Sequence, residues 1–116
     1  MRSLKITVFL FSLLIICIIF NSLYIHSCAD GLENRAEALL MGAEAGELEF
    51  FWESNKKYVG ISVSEAQIDN ISRLIVSARF NQKHGNISDL EKDVALLIQA
   101  AEGLRKYEEI TVENIF

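Results

Sequence analysis

The sequence predicts an all-α protein: one N-terminal transmembrane helix, then two helical hairpins (four helices) and a short extended C-terminal tail. Three observations carry this reading. An uncharged apolar run opens the chain, apolar residues recur at helical spacing through four later stretches, and proline is absent, so helices must end at glycine, asparagine or a capping side chain.

Residues 6–20, ITVFLFSLLIICIIF, hold no charge, and extension to Ile25 gives a segment of twenty residues. At about 1.5 Å per residue, a helix of that length covers roughly 30 Å, the thickness of a hydrocarbon core. Tyr24 suits the outer interface, with its apolar ring and wet hydroxyl. Arg2 and Lys5 precede the run and no basic residue follows until Arg35, so the positive-inside bias predicts a single-pass protein of the cell membrane, its N-terminus cytoplasmic and its helical domain extracytoplasmic. The division expected is an anchor or signal segment at residues 1–28 and a domain at 29–116, with the tail at 110–116. Nine of the eleven basic residues and all sixteen acids follow the segment, a formal charge of −7 that disfavours nucleic acid and anionic headgroups as partners. Three fates are open for the segment: retention as an anchor, cleavage at Ser27-Cys28-Ala29, or lipidation of Cys28 within Ile25-His26-Ser27-Cys28, where His26 fits a lipoprotein box poorly. Cys17 and Cys28 lie too far apart along one helix to pair, and no cysteine follows them, so neither a disulfide framework nor a thiolate metal site is expected.

Asp30-Gly31-Leu32-Glu33 has the form that opens a helix, leading into Leu32, Ala36, Leu39, Leu40 and Ala43 on one face, with Gly42 and Gly46 ending it. Glu47 to Tyr58 places Leu48, Phe51, Trp52 and Val59 on a face, and Gly60 stops it. A third helix opens at Ser62-x-x-Glu65 or Ser64-x-x-Gln67, carries Ile68, Ile71, Leu74, Ile75 and Ala78, and ends at His84-Gly85-Asn86. Ser88-x-x-Glu91 opens the fourth, whose stripe of Leu90, Val94, Leu97, Ile98, Ala101 and Leu104 is the clearest in the chain. From Ile110 to Phe116 the pattern alternates, which predicts an extended tail. The hairpins can stack as tetratricopeptide-type repeats or close as a four-helix bundle.

The residues point away from catalysis. His26 belongs to the membrane exit and His84 to a helix end, where a cation suits the dipole. The carboxylates Asp89, Glu91 and Asp93 read as a solvated helix face, and the same holds for Glu44, Glu47 and Glu49. No cofactor or metal motif is present, so no cofactor is expected. Trp52 reads as core, while Phe50, off that face, offers a small-ligand or partner surface. The apolar tail is worthwhile only if it docks, against its own domain or a partner, and Asn114 has the donors and acceptor to pin its backbone, with Phe116 as the terminal apolar group.

Glu65-Ala66-Gln67-Ile68-Asp69-Asn70-Ile71, Leu74, Ala78-Arg79, Leu96-Leu97, Leu104 and the ending Glu108-Glu109-Ile110-Thr111-Val112-Glu113-Asn114-Ile115-Phe116 resemble the domain of unknown function 4363 family. These are small proteins of Gram-positive, often spore-forming bacteria with an N-terminal membrane segment, and Trp52 matches their second-helix tryptophan. The resemblance covers most of residues 48–116; the departures are Gln67, the lack of a histidine before the Ile-Asp-Asn run, and Thr111-Val112. It points to Asp69, Asn70 and Asn114, and implies an integral membrane or envelope partner but no assigned activity. The expected role is a non-catalytic, membrane-tethered interaction module of the bacterial envelope; the alternative is an extracytoplasmic small-ligand sensor.

Overall fold

The computed structural model describes the backbone of residues 2–115 and the side chains of residues 2–106. Four helices follow one another: α1 (Arg2–Leu39), α2 (Ala45–Val59), α3 (Glu65–Lys83) and α4 (Ile87–Ile115). Among the described residues there is no strand.

The apolar run and the first helix of the domain are one helix. α1 holds 38 residues without interruption, a length of about 57 Å at the standard rise. The Asp30-Gly31-Leu32-Glu33 signal therefore opens nothing, and the boundary expected at residue 28 falls inside a helix. The physical reason lies in propagation: with no proline and no cap strong enough to compete, extending a formed helix by one residue costs far less than nucleating a new one. Burial changes along α1 where hydrogen bonding does not. Every side chain from Arg2 to Phe11 is exposed, whereas Ile25, Cys28, Ala29, Leu32, Ala36 and Leu39 are buried at the spacing of one helix face. The apolar part of α1 is long and apolar enough to cross a membrane, with a mean hydropathy of 2.6 over an 18-residue window of which nothing is buried.

Each turn has a local cause. Gly42 (φ +97°) closes the α1–α2 connection and Gly85 (φ +70°) the α3–α4 connection, both in the left-handed region that a side chain disfavours. α3 uses the second of its two possible openings: the Ser64 hydroxyl accepts the Gln67 N–H at 3.3 Å. α4 begins at Ile87, directly after Asn86, rather than at the Ser88 box. It also continues to Ile115, where alternation predicted an extended tail. Seven residues of alternation are a weak signal against continuation of an established helix with no glycine or proline after Gly103.

Packing decides between the two arrangements of the hairpins. α1 packs on α2 and α4, and α3 on α2 and α4, while the diagonal pairs contribute little, so the helices close into a ring rather than an open stack. Polar ties run antiparallel across each pair: Tyr24 to Asn55, Trp52 to Ser72, Ala45 to Gln82, Ser77 to Asp93, and Arg105 to Asp30. The result is an up-down-up-down four-helix bundle with the apolar half of α1 projecting from one end, which gives overall dimensions of 67 × 22 × 22 Å. We call the end from which the apolar half of α1 projects the near end and the opposite one the far end.

The core follows the sequence stripes. Leu48, Trp52 and Val59 of α2, Ile71, Ile75 and Ala78 of α3, and Leu90, Val94, Leu97, Ala101 and Leu104 of α4 meet the buried face of α1. Leu97 is fully buried at mid-stripe. Leu97→Ala should cost about 2–5 kcal/mol, from lost transfer energy plus a cavity, against a total on the order of 5–15 kcal/mol. Urea unfolding of the full chain in detergent should show an unfolding free energy lowered by that amount, with the midpoint falling accordingly; an unchanged midpoint would mean the helix is phased differently.

Candidate functional site

The interior contains polar groups as well as apolar ones, and these hold the surfaces in place. Asp93 is buried on α4, where its Oδ2 accepts from the Ser77 hydroxyl and from Asn81 Nδ2, both at 2.7 Å. Asn81 is itself buried, and its Oδ1 accepts from Asn86 Nδ2 at 3.4 Å. Asp93 is thus no member of a solvated face, as its neighbours suggested. It falls on the phase of the stripe, three residues past Leu90 and four before Leu97, and that placement was the legible signal. Asn81 and Gln82 likewise continue the α3 face past Ala78.

Gln82 ties the far end together. Its Nε2 donates to the Ala43 carbonyl at 2.7 Å and to the Leu39 carbonyl at 3.4 Å, and its Oε1 accepts from the Ala45 N–H at 3.0 Å. One amide on α3 therefore satisfies the last turn of α1 and the first N–H of α2, groups that a helix cannot satisfy by itself.

Arg105 does the same for α1 and α4 nearer the span. Its guanidinium donates to Asp30 at 3.1 Å from Nε, to Glu33 at 2.6 Å from Nη2 and to Glu102 at 3.0 Å from Nη1. Hydrogen bonds to Asp30 and then Glu33 raise its pKa further above the usual arginine value. Asp30, read as a helix cap, is half of this clamp. Gly31 beside it leaves room for an aromatic ring: a Cβ there would lie 2.5 Å from Phe51 Cζ, so a larger residue would push the ring from this position. The Arg35 guanidinium lies over the Phe51 ring, 4.0 Å from its centroid.

The residues singled out from sequence are dispersed. Trp52 is buried and donates from Nε1 to the Ser72 hydroxyl at 2.8 Å, which makes it a core anchor with its one polar atom satisfied. Asp69 is exposed and lines a shallow surface with Ala66, Ser72 and Arg73. Asn70 is exposed on the other side, in the α3–α4 groove with Leu74, Leu96 and Gln99. The Asn114 side chain and Phe116 lie outside the described residues, as does the docking expected of the tail. His84 stacks on Phe80 with 4.1 Å between centroids, at the helix end where it was expected. Burial pushes the Cys28 thiol up to about 11, so it stays protonated near neutral pH. Among the described residues no group of three His, Cys, Asp or Glu side chains converges as metal ligands would.

Two surfaces have the shape to hold something. At the far end Leu40 and Ile87, 50 and 66 % exposed, line a groove of about 370 Å³ with Leu39, Leu90, Asn81, Gln82 and Glu91, and Met41 in the adjoining turn is 89 % exposed. On the α1–α2 flank a groove of about 540 Å³ is lined by Arg35, Glu47, Phe50, Phe51, Ser54 and Asn55, with Phe50 76 % exposed. Sequence reasoning found Phe50 but placed Leu40 in the core; it belongs to the rim because α1 ends at Leu39 and the chain turns there. No family model, curated protein or solved structure matches the chain.

Removing the Gln82 amide should loosen the far-end rim. Gln82→Ala leaves the buried Ala45 N–H and the Ala43 carbonyl without these partners, at about 1–3 kcal/mol. Urea titration should register the loss, and amide exchange at Ala45 should accelerate. A variant as stable as the parent, with Ala45 exchange unchanged, would remove Gln82 from this role.

Proposed function

We propose that the chain is a membrane-tethered four-helix module that presents its far end to a partner protein of the bacterial envelope, and that it performs no catalysis. The observation that carries this reading is the continuity of α1: the apolar segment passes without a break into the core face Ile25–Leu39. A bundle built on such a helix is held at a fixed distance and orientation from the bilayer. With residues 6–25 as the span, Leu39 stands roughly 21 Å above it at the helical rise. Lipid cannot reach Leu40, Met41 and Ile87 at that height, which favours a protein over the bilayer as the surface that would cover them.

The same continuity supports a retained anchor. Cleavage after Ala29 would remove Ile25, Cys28 and Ala29 from the core, and lipidation of Cys28 would require a buried thiol to face the bilayer. The charge asymmetry of Arg2 and Lys5 supports a cytoplasmic N-terminus and an extracytoplasmic bundle. The resemblance to domain of unknown function 4363 proteins belongs to the same proposal, since those proteins also carry an N-terminal membrane segment. A second reading, a small-ligand sensor, is favoured by one observation: the flank groove sets the Arg35 guanidinium beside the exposed Phe50 ring.

A photocrosslinking residue at Leu40 should capture a partner protein in native membranes, and adding Met41→Asp and Ile87→Asp to that protein should abolish capture while leaving the melting temperature unchanged. Crosslinks only to a second copy of the chain would replace the partner with self-association. A small molecule retained by the purified protein and lost in Phe50→Ala would favour the sensor. For the anchor, the intact mass of protein extracted from membranes should equal the full chain without lipid; a mass beginning at Cys28 or Asp30 would contradict it.

A further inference from the structure

We infer that the α2–α3 turn, Gly60-Ile61-Ser62, is a second membrane contact: Ile61 enters the bilayer interface beside the span, so the bundle rests on the lipid surface rather than standing clear of it. The inference rests on the anchored reading of α1 and deepens it.

The register between α1 and the turn carries the argument. Asn21 Nδ2 donates to the Ser62 hydroxyl at 2.7 Å, which places the turn level with residue 21 of α1. If the span runs from Ile6 to Ile25, residue 21 lies about 6 Å inside its outer boundary at the helical rise. A shorter span ending at Phe20 still leaves the turn at the interface. Two further contacts fix the same level: the Tyr24 hydroxyl donates to Asn55 Oδ1 at 2.5 Å, and the Tyr24 and Tyr58 rings meet edge to face at 6.3 Å. The turn cannot move outward without breaking these ties.

The chemistry of the turn fits that level. Ile61 is 80 % exposed, although the neighbouring Val59 and Val63 are buried. In water an exposed isoleucine at a turn gains nothing; against acyl chains it removes apolar area from water at about 25 cal/mol per Å². Tyr58 is exposed one turn earlier, and tyrosine favours the headgroup layer. Lys56 and Lys57 stand beside it, with stems long enough to cover apolar surface while the ammonium stays wet. Leu23, on α1 and 60 % exposed, continues the apolar surface from the span.

Depth-dependent quenching tests this in the full chain, reconstituted in phosphatidylcholine vesicles with Cys17→Ala and Cys28→Ala as background. A bimane is attached at Ile61→Cys, with Leu14→Cys as the mid-span control and Met41→Cys as the far-end control. The expected result is loss of Ile61 fluorescence with lipids spin-labelled near the headgroup, loss at Leu14 with lipids labelled deep in the chain, and no loss at Met41. Quenching at Leu14 without quenching at Ile61 would overturn the inference and leave the anchor standing. No quenching at Leu14 would overturn both.

Discussion

One helix carries two kinds of surface. The apolar half of α1 suits hydrocarbon and its second half supplies a wall of a water-facing bundle, and no linker separates them. Most of the structure depends on that constraint. Because α1 is continuous through Leu39, the three remaining helices assemble along one post. The links between them are short, which forces antiparallel neighbours and closes the ring. An open repeat-like stack would leave the buried face of α1 covered on one side only; α4 covers the other.

The polar ties make sense against the same post. Asn21, Tyr24 and Asp30 on α1 each hold a different partner element: the α2–α3 turn, α2 and α4. Gln82 then closes the far end where α1 stops. Apolar burial is non-directional and tolerates helices that slide or rotate; hydrogen bonds at both ends do not. Asp93 with Ser77 and Asn81 adds a fixed register between α3 and α4. Through these ties the position of the span sets the level of every surface on the bundle, including the exposed rim at the far end.

The periodic features were legible from sequence. The stripes of α2, α3 and α4 name nearly all the buried apolar residues of those three helices, and Gly42, Gly60 and Gly85 mark where helices end or turn. Misreadings arose where a local signal competed with a tertiary one. Asp30-Gly31-Leu32-Glu33 looks like a helix start, but Asp30 is there for Arg105 and Gly31 for the Phe51 ring, partners that lie 75 and 20 residues away. Asp93 looks solvated among other acids until its phase on the stripe is weighed. The choice between stack and bundle was not legible at all, because the stripe of α1 has the same form in either arrangement. The surface residues Asp69 and Asn70 came from a resemblance, and the bundle sets them on different faces rather than in one site.

The continuity of α1 across the membrane boundary is the central claim, and amide hydrogen exchange on the full chain in lipid nanodiscs tests it most directly. Unbroken helix from the span into the core predicts that amides of residues 21–31 exchange as slowly as those of Leu32–Ala36, in one cooperative unit. A fast-exchanging window within residues 21–31, between two protected segments, would show a hinge there and contradict the account.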